Sequence, residues 1–245
     1  RLLQKALDKS DRQVTAAVYQ HQQIIGIWPS VKKVVYGLAI DLGSTTIAAQ
    51  LCDMNTGEVI ATAAAMNPQI RFGEDLMSRV SYVMMNEGGD LAMTKVVREA
   101  FNQLASRAAK SAGIQLDEIL DLVVVANPIM HHLFLGIDPT PLGTAPFTLA
   151  TDQTTILRAA DIDLNLHSEA RVCILPCIAG HIGADTAGVI LSERPDLSEE
   201  YVLLVDVGTN AEIVLGNRNR LLAASSPTGP AFEGAVTHPG ASKEK

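Results

Sequence analysis

The stretch that decides the reading is "YGLAIDLGSTTIAAQL", residues 36–51. Apolar residues climb to Asp41, the chain passes through Gly43, Ser44, Thr45 and Thr46, and then it turns apolar again. Apolar and β-branched runs bounded by Gly and Asn are strand signals. The two flanks therefore read as the arms of a β hairpin, and "MNTGEVIATAAAM" (54–66) as a third strand returning through an Asn-Thr-Gly turn. A glycine two residues after an acid lets the backbone bend tightly and approach a ligand closely. Backbone N–H groups and hydroxyls around such a turn form a concavity suited to phosphate oxygens. A carboxylate beside them suits Mg²⁺, which neutralises a polyphosphate. Taken alone, an Asp-x-Gly-Ser run is more often a plain turn.

The pattern recurs in "YVLLVDVGTNAEIVL", residues 201–215. Tyr201 falls on Tyr36, Asp206 on Asp41, Gly208 on Gly43, Thr209 on Ser44 and Glu212 on Ile47, and an Asn-containing turn and a third strand follow. The spacing is too long for a solenoid repeat and suits two similar half-domains facing each other. Two such turns can clamp one polyphosphate from both sides and couple closure of the halves to its presence.

Composition sets the outer limits. The 245 residues are 47% apolar and 19% charged, an ordinary globular balance. A net charge of −8 without clustered Lys and Arg argues against a nucleic-acid surface. No uninterrupted apolar run reaches the roughly 18 residues of a membrane span. With three cysteines and no visible secretory leader, a cytoplasmic location is expected. The start at Arg1 and the finish on "ASKEK" read as the ends of a fragment.

Along the chain, residues 1–11 read as the end of a short helix. "VTAAVY" and "IIGIW" read as a hairpin joined by "QHQQ", the tail of an upstream module covering 1–33. A first half-domain is expected over 34–200 and the opening of a second, truncated one over 201–245. Residues 74–86 place Leu76, Val80, Val83 and Met84 on one helical face. Asp90 reads as the cap of a longer helix carrying Met93, Val97, Phe101, Leu104 and Ala108 and stopped by Gly113. "DLVVVAN" reads as a buried strand, Asn127-Pro128 as a helix start, 137–165 as irregular with short pieces, and "RVCILPC" as a strand. A helix is expected from about Gly183, then three strands from Tyr201 onward.

These phosphate turns resemble those of the acetate and sugar kinase, heat-shock chaperone and actin superfamily. The stretches "YGLAIDLGSTT", "NPQIRFGEDLMSRV", "NPIMHHLFLGIDP", "CIAGHIGADTAGVI", "LLVDVGTNAEIVL" and "SPTGPAFEGA" resemble one branch of it, the ATP-dependent reductive activators of corrinoid proteins. The resemblance implies an α/β, actin-like (ribonuclease H-like) fold with duplicated mixed β-sheet half-domains around a nucleotide cleft, often dimeric. It also implies the use of ATP and Mg²⁺ to restore cob(I)alamin from cob(II)alamin in a corrinoid methyl-transfer protein. In that family electrons arrive through a [2Fe–2S] module. Cys52, Cys173 and Cys177 do not offer the plant-type C-x₄-C-x₂-C run, and the resemblance implies a cluster only in a separate N-terminal module. Under this reading Asp41 and Asp206 position Mg²⁺, while Gly43, Ser44, Thr45, Thr46, Gly208, Thr209 and Asn210 hold phosphates. Asp185 is the candidate water-orienting acid, and a helix-dipole acid explains it equally well. A small-molecule kinase of the same superfamily and a non-catalytic binding module are the alternatives.

Other residues carry plainer readings. His131 and His132 are adjacent and point about 100° apart on a helix, so a core or surface role outweighs metal binding. Cys173 and Cys177 read as buried structural thiols. Glu212 either faces the cleft or sits at an exposed edge. Asn67, Gln69, Arg71, Gly73 and Glu74 form a polar loop that contacts a partner or simply caps a helix.

Overall fold

The computed structural model describes residues 2–208 and 210–228. Helix α1 (Leu2–Asp8) leads into an antiparallel hairpin, β1 (Val14–Tyr19) and β2 (Gln23–Pro29). This hairpin is fastened to the next unit. Trp28 lies 6.1 Å from the His167 ring, Lys32 pairs with Glu118, and Arg171 donates to Gln23 Oε1 at 2.5 Å while covering the Tyr19 ring.

The main sheet has six strands. β3 (Tyr36–Leu42), β4 (Thr46–Asp53) and β5 (Val59–Met66) form an antiparallel meander. Helices α2 (Leu76–Met85) and α3 (Gly89–Ala112) then carry the chain across to β6 (Ile119–Ala126), which lies parallel to β3. Helix α4 (Pro128–Leu135) starts the second crossover, through the edge strand β7 (Thr155–Arg158) to β8 (Arg171–Ile174), which lies parallel to β6. The spatial order is β5-β4-β3-β6-β8-β7.

Alternation in β3 buries Leu38, Ile40 and Leu42 in one core with Ile47, Leu51, Met93, Val97, Phe101 and Leu104, and leaves Ala39 and Asp41 on the other face. Phe101 of α3 stacks on Phe134 of α4 at 4.7 Å between centroids. Helix α5 (Ala184–Glu193) packs across the opposite face, where a Cβ on Gly188 would sit 3.1 Å from Val125 Cγ1. The last described unit is an antiparallel sheet of β9 (Val202–Val207), β10 (Asn210–Asn217) and β11 (Arg220–Pro227).

Three local expectations are corrected. Gly88, in the left-handed region at φ 73°, precedes α3 in place of Asp90, which lies in the first turn and makes no cap. Met84 is 63% exposed, because the buried face of α2 is made by Arg79 and Val80 with Leu76 and Val83 partly covered. Strand β8 stops at Ile174, so Cys177 lies beyond it. Among the described residues no helix is long and apolar enough to cross a membrane.

Candidate functional site

The first turn joins β3 to β4. Leu42 pairs with Ile47, so Gly43, Ser44, Thr45 and Thr46 form the connection. A Cβ on Gly43 would lie 2.5 Å from the Thr46 carbonyl oxygen, so the tight return excludes any larger residue. The second turn joins β9 to β10, and the Gly208 amide donates to the Asn210 carbonyl at 2.8 Å. Thr228 Oγ1 donates to the Gly208 carbonyl at 2.5 Å. Thr209 lies outside the described residues.

Both turns open into one cleft of about 340 Å³. Asp41, Gly43, Ser44, Thr45 and Thr46 line it from one side, and Asp206, Gly208 and Asn210 from the other. Asp185, Glu212 and Asn127 complete the wall. Every site residue expected from sequence and described in the structure is therefore brought to one place, including Glu212, whose position the sequence left open. Asn127 appeared in the sequence only as a helix cap. Its Oδ1 does accept from the Met130 amide at 3.0 Å, and the same residue borders the cleft.

Register explains Glu212. Val207 pairs with Ala211, so the second turn is one residue shorter than the first, and Glu212 stands opposite Asp206 as Ala48 stands opposite Asp41. The correspondence with Ile47 read from the linear sequence is thus off by one. A one-residue slip exchanges the two faces of a strand, which moves Glu212 from the core side, where Ile47 is fully buried, to the cleft side.

The cleft concentrates negative charge. Asp41 is pushed up to about 6, first by lost hydration between the walls and then by Asp185 and Asp206. Burial raises Asp185, Asp206 adds to the rise, and the Thr186 amide, donating to Asp185 Oδ1 at 2.7 Å, opposes it. Glu212 is pushed up to about 7, by burial and then by Asp185, with a smaller contribution from Asp206. The Ser225 hydroxyl, donating at 3.2 Å, partly offsets this. Asp185 sits in the first turn of α5 after Gly183 and lines the cleft. Like charges opposite each other destabilise a sheet pair. An oxygen-lined, over-charged cleft beside two turns is suited to a hard cation with phosphate.

A larger cavity of about 930 Å³ shares Asn127, Asn210 and Glu212 with this cleft and is lined beyond them by Leu76, Pro128, Phe147 and His181. The two histidines of α4 are core residues. His132 Nδ1 donates to the Pro128 carbonyl at 2.8 Å and Nε2 accepts from the Ala150 amide at 3.0 Å. His131 is buried and pushed down to about 4, by burial and by its neighbour. Cys52, Cys173 and Cys177 are free thiols, and burial pushes Cys177 up to about 12, which makes it inert. Among the described residues no three His, Cys, Asp or Glu side chains close on a single metal position.

Residues 36–196 match the RACo middle region, and residues 200–244 match the C-terminal domain of RACo, the ASKHA domain. The chain is 33% identical over 87% of its length to the corrinoid activation enzyme RamQ of Eubacterium limosum, of which it covers 36%. It is 28% identical over 82% of its length to a [Co(II) methylated amine-specific corrinoid protein] reductase of Methanosarcina barkeri, of which it covers 37%. Among solved structures, a reductive activator for corrinoid, iron-sulfur protein superposes with a TM-score of 0.87 and 34% identity, over 96% of this chain and 38% of that one. The chain thus spans little more than a third of the length of the relatives it matches. With both family models in sequence order and the fold shared, the chain belongs to the RACo family of corrinoid reductive activators and carries its actin-like ASKHA fold.

Proposed function

We propose that this chain is the ATP-binding and hydrolysing core of a reductive activator that helps drive cob(II)alamin to cob(I)alamin in a corrinoid methyl-transfer protein. The observation that carries the reading is the convergence of two repeated Asp-x-Gly turns on one carboxylate-lined cleft. In this reading the amides and hydroxyls of Gly43, Ser44, Thr45, Thr46, Thr209 and Asn210 hold the phosphates, and Gly208, whose amide closes the second turn on the Asn210 carbonyl, lets the backbone approach them closely. Asp185 orients the attacking water. Phosphoryl transfer needs mostly positioning and charge neutralisation, and both turns supply the first.

The donor chemistry fits Mg²⁺, which prefers oxygen ligands and is held through one or two carboxylates plus phosphate and water. Asp41 and Asp206, which line the cleft from its two sides, would hold it. When bound, the ion supplies the positive charge that this cleft lacks. A [2Fe–2S] cluster does not fit the three free cysteines, which lie in β4, in β8 and beyond β8. Residues 1–33 would be the tail of an upstream module, 34–200 the first half-domain and 201–245 the opening of the second, in a cytoplasmic homodimer whose partner is the corrinoid protein.

The test is ATP consumption by the full-length protein. It should depend on a corrinoid protein, and Asp206→Ala should reduce it by at least about 100-fold, as removal of a charge-stabilising group does, with folding retained. Turnover unchanged in that variant, or dependent on a sugar or carboxylic acid instead, refutes the assignment.

A further inference from the structure

The motif "NPQIRFGEDLMSRV" (67–80) contributes nothing to the cleft wall apart from Asp75, Leu76 and Met77 in the neighbouring cavity. Its buried members instead lie behind the first phosphate turn. Asn67 Nδ2 donates to the Gly43 carbonyl at 2.8 Å, Arg79 Nη2 to the Ser44 carbonyl at 2.5 Å, and the Asn67 amide to the Thr45 carbonyl at 2.7 Å. Three consecutive carbonyls of the turn are thus tied to the protein body, two of them by side chains. In a planar trans peptide the N–H points opposite to its carbonyl. Ties behind Gly43 and Ser44 therefore turn the amides of Ser44 and Thr45 toward the cleft that these residues line.

Neither tether is itself loose. Arg79 is completely buried, and its Nε donates to the Gly73 carbonyl at 3.0 Å while Nη1 meets Met130 Sδ at 3.1 Å. Gly73 can only be glycine, since a Cβ there would come within 2.7 Å of the Arg79 amide nitrogen. Asn67 is 1% exposed and caps the short 3-10 turn Pro68–Phe72, its Oδ1 accepting from the Gln69 amide at 2.9 Å. A buried guanidinium is costly, and neutral side chains could satisfy backbone carbonyls equally well. What a guanidinium adds is a fixed positive charge directly behind an anion-binding turn.

We propose that Asn67 and Arg79 are positioning residues of the phosphate site, presetting the first turn with its amides facing the cleft and placing a permanent cation behind it. This rests on the phosphate-clamp reading above. The same loop therefore acts inward, on the nucleotide, rather than outward on a partner.

The test uses the full-length protein with two variants, measuring affinity for Mg·ATP and for adenosine together with the thermal midpoint. Arg79→Lys keeps the charge and loses the fork that spans Ser44 and Gly73. Asn67→Ser keeps a good helix cap, but its hydroxyl is too short to reach the Gly43 carbonyl. Each variant should weaken Mg·ATP binding by about 10-fold, the scale of a hydrogen bond to a charged group, and leave adenosine within about 2-fold. A merely structural role would weaken both ligands in parallel. Parallel loss, or Mg·ATP affinity within about 2-fold of wild type, overturns the proposal. If Arg79→Lys fails to fold, Asn67→Ser decides. A wild-type protein that binds Mg·ATP no better than adenosine would instead sink the clamp reading itself.

Discussion

Replacing Glu212 by Gln should stabilise the nucleotide-free protein at alkaline pH and do nothing in acid. Glu212 stands opposite Asp206 and beside Asp185, and its carboxyl is pushed from the ordinary 4.5 up to about 7. The folded state therefore binds a proton that the unfolded chain releases, so stability falls as pH rises from about 4.5 to about 7, and the full penalty remains above that. At about 1.4 kcal/mol per pH unit, the gap sets a ceiling of about 3 kcal/mol. Partial exposure screens it, so a gain of about 1–2 kcal/mol is expected for Glu212→Gln. The Gln carbonyl can still accept from the Ser225 hydroxyl. The assay is the thermal midpoint of the full-length protein and the variant from about pH 4 to about pH 8.5, at about 2–4 °C per kcal/mol for a domain of this size. The difference should be near zero at the acid end, rise through the window between the two values and then level off. A flat difference curve, or a gain largest in acid, refutes the electrostatic reasoning.

Two glycine substitutions probe the cleft, one in its wall and one beside it. Gly43→Ala places a Cβ 2.5 Å from the Thr46 carbonyl oxygen, so the turn must shift. A loss of about 1–3 kcal/mol in thermal unfolding, with weakened Mg·ATP binding by calorimetry, is expected. Gly183→Ala meets the Ala126 carbonyl at 2.5 Å and the Asn127 Cα at 2.6 Å, where α5 starts against the end of β6. It should cost a similar amount of stability, again about 1–3 kcal/mol, and lower ATP turnover by displacing Asp185. Unchanged turnover in a folded variant would separate Asp185 from the chemistry.

Much of this site could be read from residue types alone, because the signal came twice. One Asp-x-Gly run is more often a plain turn, whereas two with matching strands point to facing turns, and both pairs of strands formed. What stayed hidden depended on register and depth. A linear overlay cannot see that the second turn is one residue shorter, so it matched Glu212 to Ile47 and left open whether the carboxylate faces the cleft or an exposed edge. Arg79 carries a sequence signal of its own. It sits one turn from both Leu76 and Val83 and next to Val80, an arginine in the middle of the apolar face of α2. Met84, which the periodicity also places on that face, is exposed. The short edge strand β7 lay in a Pro- and Thr-rich stretch with no clear period, and only pairing with β8 makes it a strand.

The fastening of the N-terminal hairpin has a practical consequence. Trp28 is the single tryptophan of these 245 residues, and it is held against His167 with the Lys32 ammonium 5.8 Å from its ring. Its emission therefore reports whether the hairpin remains seated on the sheet. Motion of the hairpin relative to the six-stranded sheet becomes visible as a change in indole fluorescence without any added label.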